Sequence, residues 1–112
     1  MGFGGNAFEG EIPTEYAALT RLAKLRLDDN ALSGTIPTEF GSMISLELVD
    51  LYGNSLTGTI PPELGSLPHL ANLTVSDNFL SGTVPDELCS QSDNLHISVD
   101  CDRVNCPCCS EC

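Results

Sequence analysis

The stretch LELVDLYGNSLTGTIPPELGSLPH, residues 46–69, decides the fold, because the segments on both sides repeat it. Residues 22–45 read LAKLRLDDNALSGTIPTEFGSMIS, and residues 70–93 read LANLTVSDNFLSGTVPDELCSQSD. All three segments fit the frame LxxLxLxxNxLxGxIPxxLGxLxx. Four asparagines recur at a constant spacing of 24 residues: Asn6, Asn30, Asn54 and Asn78. Self-similarity at a fixed period of this length indicates a solenoid of stacked repeats, each packed only against its neighbours.

Each column of the frame predicts a local structure. The alternating apolar residues, such as Val49 and Leu51, predict a short strand buried on one side, and stacked copies predict a parallel sheet. The asparagines are expected to turn inward and to bond backbone groups that would otherwise be buried without partners. Each glycine permits a closely packed backbone, and each proline opens a short helical turn that carries a glutamate. The predicted fold class is α/β: a solenoid with a parallel concave sheet and short 3-10 or helical turns on the convex side.

A Gly-x-Ile-Pro step, or its valine variant, occurs in every unit. It stands in Leu32-x-Gly34-x-Ile36-Pro37, Leu56-x-Gly58-x-Ile60-Pro61, Leu80-x-Gly82-x-Val84-Pro85 and Phe8-x-Gly10-x-Ile12-Pro13. This step resembles that of plant-type leucine-rich repeat proteins, a group that includes receptor ectodomains and polygalacturonase-inhibiting proteins. The resemblance implies leucine-rich repeats over residues 1–100, the first of them incomplete, and a cysteine-rich cap over residues 101–112. It also implies a non-catalytic recognition module, since members of the group recognise peptides, other receptors or cell-wall enzymes.

The residues that vary between repeats are those expected to point outward from the strands. They form three columns on the predicted concave face: Gly2, Arg26, Asp50, Thr74 and Ser98; Gly4, Asp28, Tyr52, Ser76 and Asp100; Gly5, Asp29, Gly53 and Asp77. Tyr52 is the only aromatic residue in these columns, and an exposed tyrosine flanked by acids suits a protein or peptide partner. The candidate ligand-binding residues are Arg26, Asp28, Asp50, Tyr52, Thr74, Ser76, Asp77 and Asp100. A solvated rim without a partner is the alternative interpretation.

The charge balance limits the classes of partner. The chain carries 16 acidic against 4 basic residues, a formal net charge of −12. This balance argues against nucleic acid and anionic membrane surfaces, because phosphate contacts need lysine and arginine. It favours a basic protein or peptide partner, with simple solvation of the acids as the alternative. No membrane span is expected in this chain, because no apolar run reaches the length of a bilayer crossing.

The sequence contains no catalytic constellation. A Gly-x-Ser-x-Gly elbow, a phosphate-binding loop and a His-Glu-x-x-His pair are all absent from it. Acids such as Asp28 and Asp29 follow each other along a strand and therefore point in different directions. We predict that the protein is not an enzyme and needs no cofactor and no metal.

An alternative function rests on a second repeated surface. Hydroxyl pairs recur on one flank of the solenoid, here called the Ser/Thr flank: Ser33-x-Thr35, Thr57-x-Thr59 and Ser81-x-Thr83. Regular threonine ladders resemble the flat faces of some ice-binding solenoids, although Glu9 and Glu11 interrupt this ladder in the first repeat. The alternative is a structural solenoid, or one that adheres to ice or another surface.

All six cysteines lie at the C-terminal end: Cys89, Cys101, Cys106, Cys108, Cys109 and Cys112. An even number of cysteines at the end of a solenoid predicts a disulfide-held cap, and fifteen pairings are open. The tail resembles the cysteine-rich ends of secreted repeat proteins, including those of some algae. Zinc is the alternative, because four cysteines fall within residues 106–112 and His96 lies close in sequence.

The cysteine content favours a secreted or cell-surface protein. The sequon Asn72-Leu73-Thr74 makes Asn72 a candidate glycosylation site, expected just before a strand, where a glycan would hinder the concave face.

Met1 and Phe3 align with strand residues of later repeats, so the chain is expected to open inside a repeat. We therefore interpret it as the C-terminal end of a longer protein or a truncated gene product, with an exposed core edge at Met1, Phe3 and Phe8.

Overall fold

The computed structural model of the chain describes residues 4–5, 8–90, 95–109 and 112. Within these residues it contains six strands, three 3-10 helices and one α-helix. In chain order they are β1 (Glu9–Glu11), η1 (Thr14–Ala18), β2 (Lys24–Arg26), β3 (Ala31–Ser33), η2 (Thr38–Ser42), β4 (Leu48–Asp50), η3 (Pro62–Ser66), β5 (Asn72–Thr74), α1 (Asp86–Cys89) and β6 (His96–Ser98). The predictions for Met1, Gly2, Phe3 and Asn6 fall outside the described residues.

The concave side is a parallel sheet of four strands in the order β2–β4–β5–β6. Equivalent residues of successive repeats lie side by side, so that Leu25, Val49, Leu73 and Ile97 form one apolar row. All four side chains are fully buried, because alternate residues of a strand face the same side. The predicted α/β solenoid with a parallel concave sheet is confirmed.

The asparagine column connects the repeats through buried hydrogen bonds. The Nδ2 group of Asn54 donates to the carbonyl oxygens of Leu27 at 2.9 Å and Leu51 at 3.0 Å. Its Oδ1 atom accepts a 3.1 Å bond from the backbone N–H of Leu32. Asn78 makes the equivalent bonds one repeat later. Each amide thus satisfies backbone groups of two repeats, as expected for an inward-turned column.

The convex side carries the helices, each of which begins directly after a proline. Pro37 precedes η2 and Pro61 precedes η3, and these helices bury Phe40 and Leu64 against the core. Proline suits this place because the first N–H groups of a helix have no intrahelical partner. The prediction of short 3-10 or helical turns on the convex side is confirmed.

A second, narrow sheet, in which β1 pairs with β3, is not evident from the sequence pattern. Glu9 lies opposite Ala31 and not opposite Ser33, its equivalent one period later. Backbone pairing continues along this flank, where the N–H of Ser55 donates to Leu32 O at 2.7 Å. Strands of three residues with little burial give no apolar alternation, so only the packing of one repeat against the next reveals them.

Two glycines of the Gly-x-Ile-Pro step explain why this column excludes side chains. Gly58 and Gly82 have φ angles of +82° and +81°. A Cβ on Gly82 would lie 2.9 Å from the Cγ2 atom of Thr59, and one on Gly58 would lie 3.1 Å from the Cγ2 atom of Thr35. Glycine is therefore required by the left-handed backbone and also by the close approach of the preceding repeat.

We expect Gly82→Ala to lower the free energy of unfolding more than Gly10→Ala. Gly10 has a similar φ of +87°, but no atom of the described residues lies within 4 Å of the place where its Cβ would be. Both substitutions put alanine in a left-handed backbone at about 1–2 kcal/mol, and only Gly82→Ala adds overpacking of about 1–3 kcal/mol against Thr59. Urea denaturation measures the difference. Equal losses would show that backbone conformation alone selects the glycine.

Three disulfides hold the C-terminal residues, Cys89–Cys108, Cys101–Cys112 and Cys106–Cys109. All six cysteines are paired, which confirms the prediction of disulfide bonds. A metal-binding cysteine is a thiolate, and a sulfur atom in a disulfide is not. The pairing therefore leaves the zinc alternative without cysteine ligands.

The tail packs over the C-terminal edge of the core. Val104 is buried, and the backbone of Asn105 bonds Gly82 and Val84 at 2.9 Å each. The guanidinium group of Arg103 lies 5.0 Å from the centre of the Phe79 ring, a cation–π contact. The tail thus supplies apolar packing and backbone bonds that a further repeat would otherwise supply.

Phe8 lies near the N-terminal end of the described residues. Phe8 is 43% exposed, as predicted. It lines a groove beside β1 in which apolar residues lie next to two acids: Glu9, Glu11, Pro13, Tyr16, Leu27 and Leu32.

Candidate functional site

The concave face is formed by the outward residues of β2, β4, β5 and β6 and of the turns that follow them. In its first column Arg26, Asp50 and Thr74 lie side by side, with Arg26 exposed and the other two half-buried. Ser98 continues the column but is only 7% exposed, so the prediction that it belongs to the open surface is wrong. Alternation along a strand gives the side that a residue faces, whereas exposure also depends on what packs above that side.

Tyr52 is the largest exposed group of the second column. Its side chain is 42% exposed, and its neighbours Asp28 and Ser76 are half-buried. The carboxylate of Asp28 lies directly over Gly4, where an added Cβ would meet Asp28 Oδ1 at 2.5 Å. Tyr52 is therefore accessible beside an acidic group that lies close to the backbone of Gly4.

Backbone conformation restricts which residue types can occupy the third column. Asp29, Gly53 and Asp77 have φ angles of +53°, +74° and +57°. Glycine and, to a lesser degree, aspartate and asparagine tolerate this left-handed region, whereas most other residues do not. Asp77, a candidate ligand-binding residue, is exposed, and its residue type is also constrained by the turn.

Asp100 has a structural role that the repeat frame does not reveal. In the regular repeats the N–H groups of Asp29 and Gly53 donate to the carbonyl oxygens of the next repeat. At the last turn the N–H groups of Asp77 and Asn78 donate instead to the carboxylate of Asp100, at 2.9 Å and 3.1 Å. The carboxylate of Asp100 thus takes the place of a backbone carbonyl where the repeats end.

The main-chain carbonyl of Asp100 is used differently. It accepts bonds from the N–H groups of Arg103 and Val104, both at 2.9 Å, and so closes the turn that leads into the cap. The only sequence signal for this arrangement is an aspartate placed at the point where the frame ends. The bonds from Asp77 and Asn78 to the Asp100 carboxylate reach the preceding repeat, which the local sequence pattern does not encode.

Asp50 has the most perturbed environment on the face. Burial raises the pKa of its carboxyl group, and the negative charges of Asp28 and Asp29 raise it further. A hydrogen bond from the Tyr52 N–H, 3.1 Å from Asp50 Oδ1, and the positive charge of Arg26 act in the opposite direction. An approaching cation would therefore interact favourably with this carboxylate.

β5 begins at Asn72, one residue earlier than the sequence analysis predicts. The side chain of Asn72 is exposed, and the residue lies between Leu48 and His96 in the register of the sheet. A glycan on Asn72 would therefore stand on the concave face itself. Glycosylation of this residue stays a prediction.

The repeat geometry agrees with the match to a known family. A family model described as leucine rich repeat matches residues 20–80, which is more than half of the chain. The chain belongs to the leucine-rich repeat family. The matched residues contain the strands and turns that carry Arg26, Asp28, Asp50, Tyr52 and Thr74.

Solved structures resemble this leucine-rich repeat chain over most of its length. The plant peptide hormone receptor RGFR1, in complex with RGF2, is 36% identical with a TM-score of 0.84 over 95% of this chain and 17% of its own. The ectodomain of the receptor kinase SOBIR1 from Arabidopsis thaliana is 28% identical with a TM-score of 0.81, over 95% of this chain and 59% of its own. A plant ice-binding protein is 35% identical with a TM-score of 0.80, over 88% and 31%.

The similarity to plant receptor ectodomains confirms the resemblance drawn from the Gly-x-Ile-Pro step. The leucine-rich repeat chain spans less than two thirds of the length of each of these three proteins. Curated proteins include no significant match. Among the helices of the described residues, none has the length and apolar character that a bilayer crossing requires.

Proposed function

We propose that this chain is a non-catalytic recognition segment of a secreted or cell-surface leucine-rich repeat protein, and that its concave face binds a protein or peptide. The observation that carries the proposal is Tyr52, a large exposed side chain beside the half-buried acids Asp28 and Asp50. Similar structures support it: RGFR1 is in complex with RGF2, and the Arabidopsis receptor kinase HAESA is in complex with the peptide hormone IDA and the co-receptor SERK1. Three disulfides are consistent with an oxidising, extracellular environment.

Each group of residues is proposed to contribute a different kind of interaction to binding. Tyr52 provides a large contact area at a small loss of side-chain entropy. Asp28 and Asp50 attract basic groups of the partner and accelerate its association. Arg26, Thr74 and Ser76 surround the anchor with polar groups that fix its orientation. Asp77 and Asp100 add negative charge while they hold the last turn in place.

Tyr52→Ala is expected to weaken binding by about 2 kcal/mol, or about thirtyfold, because aromatic anchors at the centre of a contact dominate affinity. The probe is a set of peptides selected from a random displayed library on the folded chain, and calorimetry measures their affinity. Ile44→Ala is the matched control, since Ile44 is 58% exposed and lies between η2 and β4, away from the columns. Selected peptides that bind equally well to Tyr52→Ala, Asp28→Asn and Asp50→Asn would place the site elsewhere.

Asp50→Asn is expected to slow association at low salt without lowering the melting temperature at pH 7. A raised pKa in the folded state means that the protonated form is favoured there, so this contribution to stability is present at low pH and is lost as the pH rises through the folded pKa. At pH 7 the amide therefore removes a charge that folding disfavours, and its Oδ1 atom still accepts the bond from Tyr52 N–H. Stopped-flow binding of a selected basic peptide at two salt concentrations, with thermal unfolding of both proteins, tests this. A lower melting temperature for Asp50→Asn would contradict the assignment.

The similarity to a plant ice-binding protein keeps the Ser/Thr flank as a second candidate. Its hydroxyl groups are partly engaged, since Thr57 Oγ1 donates to Gly34 O at 3.3 Å and Ser81 Oγ donates to Gly58 O at 3.5 Å. The ladder also stops at Glu11. These contacts favour the concave face. Ice-growth microscopy is the test, and faceted crystals that become round with Thr59→Lys would favour the flank instead.

A further inference from the structure

Two disulfides of the cap lie next to each other. The Sγ atoms of Cys106 and Cys108 are 4.0 Å apart, although Cys106 is bonded to Cys109 and Cys108 is bonded to Cys89. The sulfur atoms of Cys89, Cys106 and Cys108 all lie within 4.8 Å of one another, and these side chains are half-buried. Cys109 is not in this group. Of the two sulfurs in the Cys106–Cys109 bond, that of Cys106 is therefore the one that lies within 4.8 Å of both sulfurs of the neighbouring disulfide.

We propose that Cys106 is an internal nucleophile that passes reduction of its own disulfide on to the Cys89–Cys108 disulfide. Thiol–disulfide exchange requires a thiolate that can reach a disulfide sulfur, and its rate depends on access. Once its bond to Cys109 is open, Cys106 lies within reach, 4.0 Å from the Sγ atom of Cys108, and rotation about its Cα–Cβ bond must then bring it into line with the Cys108–Cys89 bond. The cap then contains a thiol-reactive site at Cys106–Cys109 whose opening releases Cys89.

The exchange runs in two balanced steps. An external dithiol reduces the Cys106–Cys109 bond to two thiols and is itself oxidised to a cyclic disulfide. The Cys106 thiolate then attacks the Sγ atom of Cys108, a Cys106–Cys108 bond forms, and the bond from Cys108 to Cys89 breaks. Cys89 leaves as a thiolate and takes up the proton that Cys106 lost. The products are thiols at Cys89 and Cys109 and a disulfide within the tail.

The released cysteine lies at a contact between the repeats and the cap. Cys89 ends α1 and occupies the column that contains Gly41 and Gly65 in the two preceding repeats. At Gly65 an added Cβ would lie 2.5 Å from the Cβ of Glu87, because the next repeat packs directly on this column. At Cys89 the tail occupies that place and is joined to α1 by the disulfide to Cys108. Exchange therefore removes the covalent link between the last helix and the cap.

A map of the thiols after limited reduction tests the proposal. Cys101 and Cys112 are exposed, so a reductant reaches their disulfide readily. The double variant Cys101→Ser/Cys112→Ser removes that reaction. The folded variant is treated with less than one equivalent of dithiothreitol, quenched in acid, alkylated, and digested for tandem mass spectrometry. We expect the alkyl label on Cys89 and Cys109, together with a Cys106–Cys108 bond.

Other label patterns overturn the proposal. Labels on Cys106 and Cys109 show that reduction stays local, and labels on Cys108 and Cys109 show that Cys89 is captured and remains joined to the tail. The same reaction on the unaltered chain keeps the test valid if the variant does not fold. There Cys89 and Cys109 must carry label in addition to any label on the exposed pair.

The variant Cys106→Ser/Cys109→Ser provides a matched kinetic control. It keeps the Cys89–Cys108 disulfide but lacks the internal nucleophile. An internal thiol acts at an effective concentration of about 1 mM or more. Once Cys106–Cys109 is open, the release of Cys89 in the unaltered chain should therefore be about tenfold faster than the release of Cys89 in this variant at about 0.1 mM external thiol. Label on Cys109 marks the opening of the Cys106–Cys109 bond. Label on Cys89 that follows this opening no faster than in the variant would mean that the external thiol attacks the Cys89–Cys108 bond directly and that Cys106 has no such role.

Discussion

Asn54→Ala is expected to lower the free energy of unfolding by about 3 kcal/mol, because the substitution leaves buried backbone groups without partners. The Asn54 amide bonds Leu27 O and Leu32 N–H, which belong to the preceding repeat. Neither group gains water when the amide is removed, since Leu27 and Leu32 are both buried. Loss of the side chain also leaves a cavity between two repeats, which adds to the penalty.

Asn105→Ala is the control for this prediction. Asn105 is exposed, and its bonds to Gly82 and Val84 use backbone atoms that alanine retains. Urea denaturation of both variants gives the difference in the free energy of unfolding. Similar losses for Asn54→Ala and Asn105→Ala would mean that water enters the asparagine column and replaces the amide.

Full reduction of the cap is expected to lower the melting temperature by at least about 15 °C. Cys89–Cys108 and Cys101–Cys112 join residues 19 and 11 positions apart, and disulfides that close loops of this kind contribute about 2–4 kcal/mol each. For a domain of this size, each kcal/mol corresponds to about 4–8 °C. The Cys106–Cys109 bond closes a loop of only 3 positions and should add little. Differential scanning calorimetry with and without a reductant measures the shift.

A chelator separates the disulfide cap from the zinc alternative. Chelator alone should leave the melting temperature of the oxidised protein unchanged, since paired sulfurs have no role as metal ligands. A chelator that lowers the melting temperature and uncovers titratable thiols would establish a metal-held cap instead. The same comparison locates the unfolding, because loss of the cap should expose Val104 and Leu88 before the central repeats.

The candidate site consists of concave-face residues that the repeat frame does not require for folding. The apolar rows, the asparagines and the glycines each have a structural function, and so does Asp100 through its bonds to the turn at Asp77. Arg26, Tyr52 and Thr74 have side chains on the concave face, and within the part of the chain that the structure describes none of them makes a side-chain hydrogen bond to the repeat frame. Recognition by this protein is therefore expected to depend on the part of the face formed by β2, β4 and β5.

The sequence alone determined the features that repeat with the period. Strand alternation, the inward asparagines and the proline-led turns are local signals that recur once in each repeat. Each copy therefore supports the structural assignment made from the others. The side of the sheet that Tyr52 faces also followed from the sequence, because the direction of a side chain in a strand is set by its parity. The presence of disulfides followed from the number and clustering of the cysteines.

Only the tertiary structure decided the contacts between elements that the period does not relate. Three disulfide pairs were selected from fifteen possible sets by the path of the tail over the last repeat, which no cysteine spacing encodes. The second sheet depends on a stagger between β1 and β3, and the burial of Ser98 depends on what packs above β6. The use of the Asp100 carboxylate in place of a carbonyl arises because the repeats stop there. Local sequence sets conformation and direction, whereas these features depend on which distant groups meet in space.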